Sequence, residues 1–346
     1  MNITYRTKRR LYRAALIGIT VLLLAVLVGF CWVIWLERYV VYTREGATLN
    51  FDVVEMPGAG QLAMPPSADE TVPVYVNEGL DAIDLNKELT QLTGYYIDGD
   101  TLQTDIVTAR DTVATLPSGT AVMVEVKSIW GQFNYSSAVS NATISTRVDV
   151  SQVDGLITDI TSRNLYAVAV VPAFRDRYFF LKDNKNTSCG LAIKGKGYLW
   201  LDNDNCYWFD PTDNDTILWL QEIVNELKAK GFDEVVFSEF RIPNTDSIVF
   251  NTDKAEAIKK AAQTLTTACS TDNFAVSFLT TDSAFPLPDG RTRLYMESVG
   301  PKNVDAVAAL LNLENPQAKL VFMCNTNDTR FDAYSVMRPI AMAATN

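Results

Sequence analysis

From about residue 74 onward, short apolar runs alternate with amphipathic helical patterns, and this alternation is the strongest constraint on the fold. It is typical of βα units, in which each helix carries the chain back so that successive strands run parallel. The pattern therefore predicts an α/β fold built on a parallel sheet. We predict seven strands, at residues 94–97, 121–126, 167–171, 234–237, 275–279, 294–296 and 320–324.

The helical patterns lie between these strands, and one of them is especially clear. Residues 215–230 place Ile217, Leu220 and Leu227 on one apolar face, and Gly231 follows as a stop signal. The other helices are predicted at residues 105–116, 153–163, 254–269 and 304–313.

Seven strands favour a (β/α)8 TIM-like barrel in which one strand is irregular, absent or unrecognised. A doubly wound open sheet is the alternative. The chain has no G-x-G-x-x-G after its first predicted strand and no G-x-x-x-x-G-K-[ST], so a nucleotide-binding version of the open sheet would lack its phosphate loop.

The N-terminal segment contains an uncharged apolar run from residue 14 to residue 36. As a helix this run would be about 35 Å long, enough to span a hydrocarbon core of about 30 Å. Basic residues precede the run, whereas the charges just after it are balanced, so the positive-inside rule places the N-terminus in the cytoplasm. A cleaved signal peptide is the alternative, but the run is longer than the usual apolar region and no A-x-A-like site follows it.

These features predict a single-pass membrane protein with a signal-anchor and an extracytoplasmic domain. Residues 56–73 concentrate proline, glycine and small residues, which is typical of a linker. The predicted parts are a basic cytoplasmic tail at 1–13, a transmembrane helix at 14–36, a juxtamembrane segment with the linker at 37–73, and the barrel at 74–346.

The chain contains no histidine, which removes Ser-His-Asp triads, Cys-His pairs and histidine-based zinc sites from consideration. Its 41 acidic residues outnumber its 30 basic ones, for a net charge of −11, and this balance argues against a nucleic-acid partner. Acid–base chemistry would fall to carboxylates, Lys, Tyr or Cys, and we predict no metal site and no cofactor.

Three segments resemble a bacterial family of glycosyl-hydrolase-like TIM barrels that is often found on cell-surface proteins. They are AVMVEVKSIWGQFNYSS at 121–137, LYAVAVVPAFRD at 165–176, and LWLDNDNCYWFDPTDNDTILWLQEIVNELKAKGFDEVVFSEFRIP at 199–243. In the third segment the family runs Trp-x-Asp…Trp-x-Asp-Pro, a helix, Gly-Phe-Asp-Glu, and a strand that closes in Phe-Asp-Tyr-x-Arg-Phe-Pro. The resemblance covers about residues 90–335 and implies a barrel that hydrolyses a polysaccharide or cell-wall glycan.

The chain departs from the family pattern at several acidic positions. Glu125, Ser128, Ile129 and Ser238 stand where the family has aspartate, and Glu239 stands where it has tyrosine. The alternative interpretation is therefore a catalytically inactive barrel that binds glycan or an unidentified protein partner at the cell surface.

Glycoside hydrolysis needs two carboxyl groups, which a barrel would supply from the C-terminal ends of different strands. We predict Glu239 as the proton donor and Glu297 as its partner, with Glu125 as the alternative partner. Phe240 is expected to exclude water from Glu239 and so favour its protonated form. The competing interpretation is that these carboxylates only form ion pairs with Lys127 and Arg241.

A second group of residues is predicted to bind substrate. Lys127 and Arg241 would position a charged or polar group of the sugar, and the aromatic residues would stack on its apolar faces. For each aromatic residue, packing within the protein is the alternative. The predicted substrate-binding residues are Lys127, Arg241, Trp130, Tyr178, Trp200, Trp208 and Asp282.

Overall fold

The computed structural model describes residues 40–43, 46–49, 89–182 and 187–345. The chain divides into two compact units, Met1–Glu78 and Gly79–Asn346. In the first unit the described residues form an antiparallel hairpin of Val40–Thr43 with Gly46–Leu49. The predicted transmembrane helix at 14–36 lies outside the described residues. Among the helices that the structure describes, none combines the length and apolar character that crossing a bilayer requires.

The second unit is a closed barrel of eight strands, and each strand runs parallel to both of its neighbours. The strands lie in chain order around the barrel, which is the arrangement of a (β/α)8 TIM barrel. They are β1 (Thr93–Ile97), β2 (Ala121–Glu125), β3 (Tyr166–Pro172), β4 (Glu234–Ser238), β5 (Ala275–Thr280), β6 (Leu294–Met296), β7 (Leu320–Met323) and β8 (Ser335–Pro339).

The seven predicted strands are confirmed, with ends that shift by at most one residue. The strand that the sequence pattern did not reveal is β8, which pairs with β7 on one side and with β1 on the other. Its sequence, Ser-Val-Met-Arg-Pro, contains polar residues and ends in proline, so it lacks a continuous apolar run. The barrel closes through this strand.

Helices connect most of the strands, and the five predicted helices are confirmed. Aspartates cap several of them: the Asp149, Asp213 and Asp253 carboxylates accept hydrogen bonds from first-turn amides. No helix is described between β5 and β6, so the ring of helices is irregular there. The helices are α1 (Gly99–Thr104), α2 (Ile106–Val113), α3 (Val150–Ser162), α4 (Phe179–Lys182), α5 (Asn214–Ala229), α6 (Lys254–Cys269), α7 (Val304–Leu311) and α8 (Pro316–Lys319).

Side chains alternate between the barrel interior and the helical layer along each strand. In β4, Val236 belongs to the interior cluster, whereas Val235 and Phe237 pack in the larger core beneath the helices. The interior cluster also contains Met123, Val168, Tyr295, Val321 and Met337. Side chains therefore fill the interior of the barrel.

The long insertion between β3 and α5 is held against the end of β3 by short antiparallel pairing. Arg175–Asp176 pairs with Tyr207–Trp208. Within the insertion, an isolated antiparallel bridge joins Leu201 to Tyr207. The Arg175 guanidinium reinforces the insertion because it donates to the carboxylate of Asp202 at 2.7 Å.

A buried ion pair seals the N-terminal end of the barrel. Arg293, just before β6, donates to the Glu234 carboxylate at 2.6 Å, and both side chains are inaccessible to solvent. The Arg293 guanidinium also donates to the carbonyls of Ala318 and Thr90, each at 3.0 Å. The Gly-Phe-Asp-Glu motif at 231–234 therefore has a structural role, far from the mouth formed by the opposite strand ends.

We predict that Arg293→Met lowers the free energy of unfolding by about 3–5 kcal/mol, because it leaves the Glu234 carboxylate buried without its cation. The double variant Glu234→Leu/Arg293→Met should lose less, since it removes both charges. Urea denaturation measures the differences. Arg330→Met, which breaks an exposed ion pair with Asp328, is the control and should change little. A double variant less stable than Arg293→Met would contradict the prediction.

Candidate active site

A cavity of about 1000 Å³ opens at the C-terminal ends of the strands. Its lining includes Met123, Val170, Leu279 and Met323, which belong to the interior of the barrel. Its walls come from residues at or just after the ends of β1, β2, β4, β6 and β7. Catalytic sites of TIM barrels are built at this end, because residues from several strands converge there.

The three predicted catalytic residues line this cavity together. Glu125 is the last residue of β2, Glu239 directly follows β4, and Glu297 directly follows β6. The predicted substrate-binding residue Arg241 lines the same cavity. The cavity thus brings the carboxyl groups of these three glutamates together with a guanidinium.

Glu125 is the most strongly perturbed of these carboxyl groups. Strand alternation directs its side chain into the barrel, as it does for Ala121 and Met123. Burial raises the pKa of Glu125 to about 7, the hydrogen bond from the Gly99 amide opposes the rise, and the nearby carboxylates of Asp98 and Asp100 add to it. The Gly99 N–H donates to the Glu125 carboxylate at 2.9 Å. Glu125 therefore carries a proton in a large fraction of molecules at neutral pH.

Glu239 lies where the backbone departs from the strand. Its φ of +48° is in the left-handed region, which a glutamate rarely adopts. Ser238 lines the cavity, and simple alternation would send the next side chain away from it; the left-handed turn instead directs Glu239 to the cavity wall. The Nε and Nη2 atoms of Arg241 donate to one oxygen of Glu239 at 3.0 and 2.9 Å.

Glu297 is electrostatically coupled to Glu239. It is accessible to solvent, but the surrounding protein removes part of its hydration. This burial raises the pKa of Glu297, and the charge of Glu239 raises it further. Tyr96 lines the same wall, and burial, followed by the charges of Asp98, Cys324 and Glu297, raises the pKa of its hydroxyl. Tyr96 therefore stays protonated and can donate a hydrogen bond to a bound molecule.

Lys127 is fully buried and lies away from the lining of the cavity. Its ammonium group is 2.8 Å from the Asp176 carboxylate and donates to the carbonyl of Pro172 at 3.3 Å. The ammonium also lies 5.0 Å from the ring centroid of Trp219. These contacts indicate that Lys127 stabilises the loop after β2.

The remaining predicted substrate-binding residues are not brought together at the cavity. Trp208 is buried, and the Arg241 guanidinium lies 4.7 Å from the centre of its ring. Tyr178 and Trp200 are half-buried and Asp282 is exposed, and none of them belongs to the lining. Trp130 lines a smaller groove that adjoins the cavity.

Sequence reasoning missed several lining residues, including Tyr96, Asp98 and Cys324. Tyr96 could have been found, because it alternates with Gly94 near the end of the first predicted strand. Cys324 also follows a predicted strand, but a cysteine at that position is equally typical of the core.

A closed parallel (β/α)8 barrel with carboxyl groups around its C-terminal mouth defines a TIM-barrel protein of the glycosyl-hydrolase-like class. The sequence comparison identifies the particular family. Residues 96–277, more than half of the chain, match the family described as "Putative glycosyl hydrolase domain". The chain belongs to this family. Among curated proteins, none matches the sequence.

The chain is also similar to several solved structures. A GH36 α-galactosidase, AgaB, from Geobacillus stearothermophilus superposes with a TM-score of 0.50 at 10% identity, over 74% of this chain and 39% of that one. A hypothetical protein from Ruminiclostridium thermocellum is 24% identical, with a TM-score of 0.45 over 54% of this chain and 96% of that one. A GH20 exo-β-N-acetylglucosaminidase from Vibrio harveyi has 8% identity and a TM-score of 0.46, over 67% of this chain and 41% of that one. The chain thus spans about two fifths of each glycosidase.

We predict that the stability of the protein responds to pH through Glu125. Its folded-state pKa of about 7 exceeds the ordinary glutamate value, so the folded state binds more protons and loses stability as the pH rises toward 7. Glu125→Gln should gain stability relative to the parent between pH 4.5 and 8, by up to about 3 kcal/mol at about 1.4 kcal/mol per pKa unit.

Urea denaturation at several pH values measures this difference. Glu314→Gln, at an exposed position, is the control for loss of one carboxylate. A stability difference between parent and Glu125→Gln that does not change with pH would contradict the prediction.

Proposed function

We propose that the protein is a glycoside hydrolase that acts on cell-envelope or extracellular glycan. The observation that carries this proposal is the convergence of Glu125, Glu239 and Glu297 on one cavity at the barrel mouth. Their surroundings differ: burial raises the pKa of Glu125 to about 7, whereas Glu239 forms an ion pair with Arg241. A protonated and an ionised carboxyl group are the two parts that glycoside hydrolysis requires.

In the proposed reaction, Glu125 donates its proton to the glycosidic oxygen as the bond from that oxygen to the anomeric carbon breaks. The Glu239 carboxylate either attacks the anomeric carbon to form a glycosyl ester, which water then hydrolyses, or it accepts a proton from the water that attacks this carbon directly. The proton that the water releases restores the starting state of the carboxyl groups. Glu297, which lines the same cavity, is the alternative partner. NMR of the first-formed anomer would separate the retaining course from the inverting one.

The proposed roles of Glu125 and Glu239 differ from those expected from the sequence, where Glu239 was the proton donor and Glu125 the alternative partner. Phe240, expected to remove water from Glu239, lines the cavity beside it, and its ring packs against Phe174 at 4.5 Å and Phe278 at 4.7 Å between ring centres. Glu239 itself forms an ion pair with the Arg241 guanidinium. Glu125 is the carboxyl group whose burial suits a proton donor.

The charge of the cavity favours an uncharged or cationic sugar. Its lining contains the carboxyl groups of Asp98, Glu125, Glu239 and Glu297, but only the Arg241 guanidinium as a counter-charge. An acidic sugar would be repelled by this excess of carboxylates.

One observation favours a second candidate function, a barrel that binds glycan without cleaving it. Ser238 lines the cavity at the position where the resemblance to the family has an aspartate. A serine there removes one acid from the expected set, and binding to glycan or to a protein partner needs no such acid.

We predict that the purified full-length protein releases reducing ends from at least one member of a panel of neutral cell-wall and plant polysaccharides. Glu125→Gln and Glu239→Gln should each lower the rate by about 10²–10⁴-fold. Glu314→Gln is the matched control and should retain the parent rate. Unchanged release by Glu125→Gln would refute the assigned roles, and binding without release would favour the second candidate.

We further propose that residues 14–36 anchor the protein in the cell membrane, with the barrel outside the cytoplasm. The long uncharged run and the basic residues before it support this orientation. In a bacterial host, the full chain should sediment with membranes, and protease added to spheroplasts should degrade the barrel. Deletion of 14–36 should leave the barrel in the cytoplasm, protected from that protease. Protection of the full-length protein would contradict the orientation.

A further inference from the structure

A second cavity, a groove of about 280 Å³, adjoins the main one. Asp98, Glu125 and Ile129 line both cavities, so the two are continuous at these residues. Glu239 and Glu297 line the main cavity but not the groove. Glu125 therefore stands at the boundary, and the other two carboxyl groups lie on one side of it.

The loop that forms one wall of the groove is firmly held. Lys127, just after β2, forms the buried ion pair with Asp176 that was described above. Gly131 has a φ of +98° and lies so close to the Asp176 carboxylate that no larger residue would fit. The Arg177 amide donates to the Trp130 carbonyl at 2.8 Å. Trp130 and Gln132 are thus presented to the groove from a rigid support.

The side-chain amide of Gln132 is the second observation that points to a ligand. Gln132 is only 7% exposed and lines the groove, and its amide is not among the fully buried side-chain atoms that lack a partner. The amide therefore faces the space of the groove, where it can both donate and accept hydrogen bonds. A hydroxyl group of a molecule bound in the groove would satisfy this amide.

The rest of the lining matches the chemistry of a sugar. Trp130 supplies an aromatic surface, and the Arg147 guanidinium lies 5.0 Å from the centre of its ring. Asn134, 2% exposed, is fixed by donating to the Glu125 carbonyl at 2.8 Å. Aromatic faces together with convergent amides and hydroxyls bind the apolar faces and the hydroxyl groups of sugar rings.

We propose that this groove is the binding subsite for the sugar residue on the leaving-group side of the cleaved bond. The inference rests on the proposed function. The general acid must reach the oxygen that joins two sugars, and Glu125 is the proposed acid that borders both cavities. The main cavity, with Glu239 and Glu297, then holds the sugar whose anomeric carbon reacts. The enzyme should accordingly prefer an oligosaccharide to a sugar with a small leaving group.

The test compares two kinds of substrate on the full-length protein. The probes are tetrasaccharides of glucose, galactose and N-acetylglucosamine, and the glycosyl fluorides of the same sugars, whose leaving group is too small to fill the groove. In Trp130→Ala and Gln132→Leu, the ratio of kcat/KM for the tetrasaccharide to that for the fluoride should fall at least tenfold. Tyr198→Ala, which removes an aromatic ring that is 72% exposed, controls for loss of an aromatic side chain and should leave this ratio unchanged.

An unchanged ratio in variants that melt like the parent would overturn the subsite while leaving hydrolysis in place. If the parent cleaves none of the probes, the proposal that it hydrolyses these sugars is refuted. Calorimetry with the tetrasaccharides then tests separately whether the groove binds sugar. Binding that is lost in Trp130→Ala would then support a sugar site in the groove. Binding that Trp130→Ala leaves intact, or no binding by the parent, would overturn it.

Discussion

Parallel strands can close into a barrel only when the last strand pairs with the first, and here Ser335–Pro339 pairs with Thr93–Ile97. This closure leaves no unpaired edge and sends the C-terminal ends of all eight strands to the same mouth. Residues that are far apart along the chain, such as Glu125, Glu239 and Glu297, consequently line one cavity. The opposite end is filled by the buried pair of Arg293 and Glu234, so the two ends of the barrel have different chemistry.

The glutamates of this protein differ in their chemistry because their surroundings differ. Burial in the barrel favours the neutral form of Glu125, whereas Glu239 forms an ion pair with the Arg241 guanidinium. Glu234 is held at the closed end, where it stabilises the fold. A glutamate's position in the barrel therefore decides whether it supports structure or faces a substrate.

The sequence predicted the barrel well because its strands are mostly apolar runs separated by helical periodicity. The pattern failed at β8, where Ser335, Arg338 and Pro339 interrupt the run. It also placed Glu125, Glu239 and Glu297 at strand ends, and the structure brings all three to the mouth.

The roles of the carboxyl groups could not be predicted in the same way, because they depend on contacts between distant or irregular segments. The Gly99 amide binds Glu125, and Asp176 rather than a strand-end glutamate is the partner of Lys127. The aromatic residues divide similarly: Trp208 is buried, whereas Trp130 lines the groove. The conformation of the loops decides whether such an aromatic residue is buried or lines the groove, and sequence periodicity carries no information about loop conformation.

At Glu239, the left-handed backbone favours one kind of residue for stability, whereas the proposed chemistry needs another. A long side chain in this conformation costs about 1 kcal/mol, and glycine or asparagine would relieve most of that cost. A lineage in which the carboxylate had become useless would therefore gain stability by drifting to either residue. Without selection for the carboxylate, mutation would therefore be expected to replace this glutamate. If descendants of this chain keep it, selection is still acting on the barrel mouth.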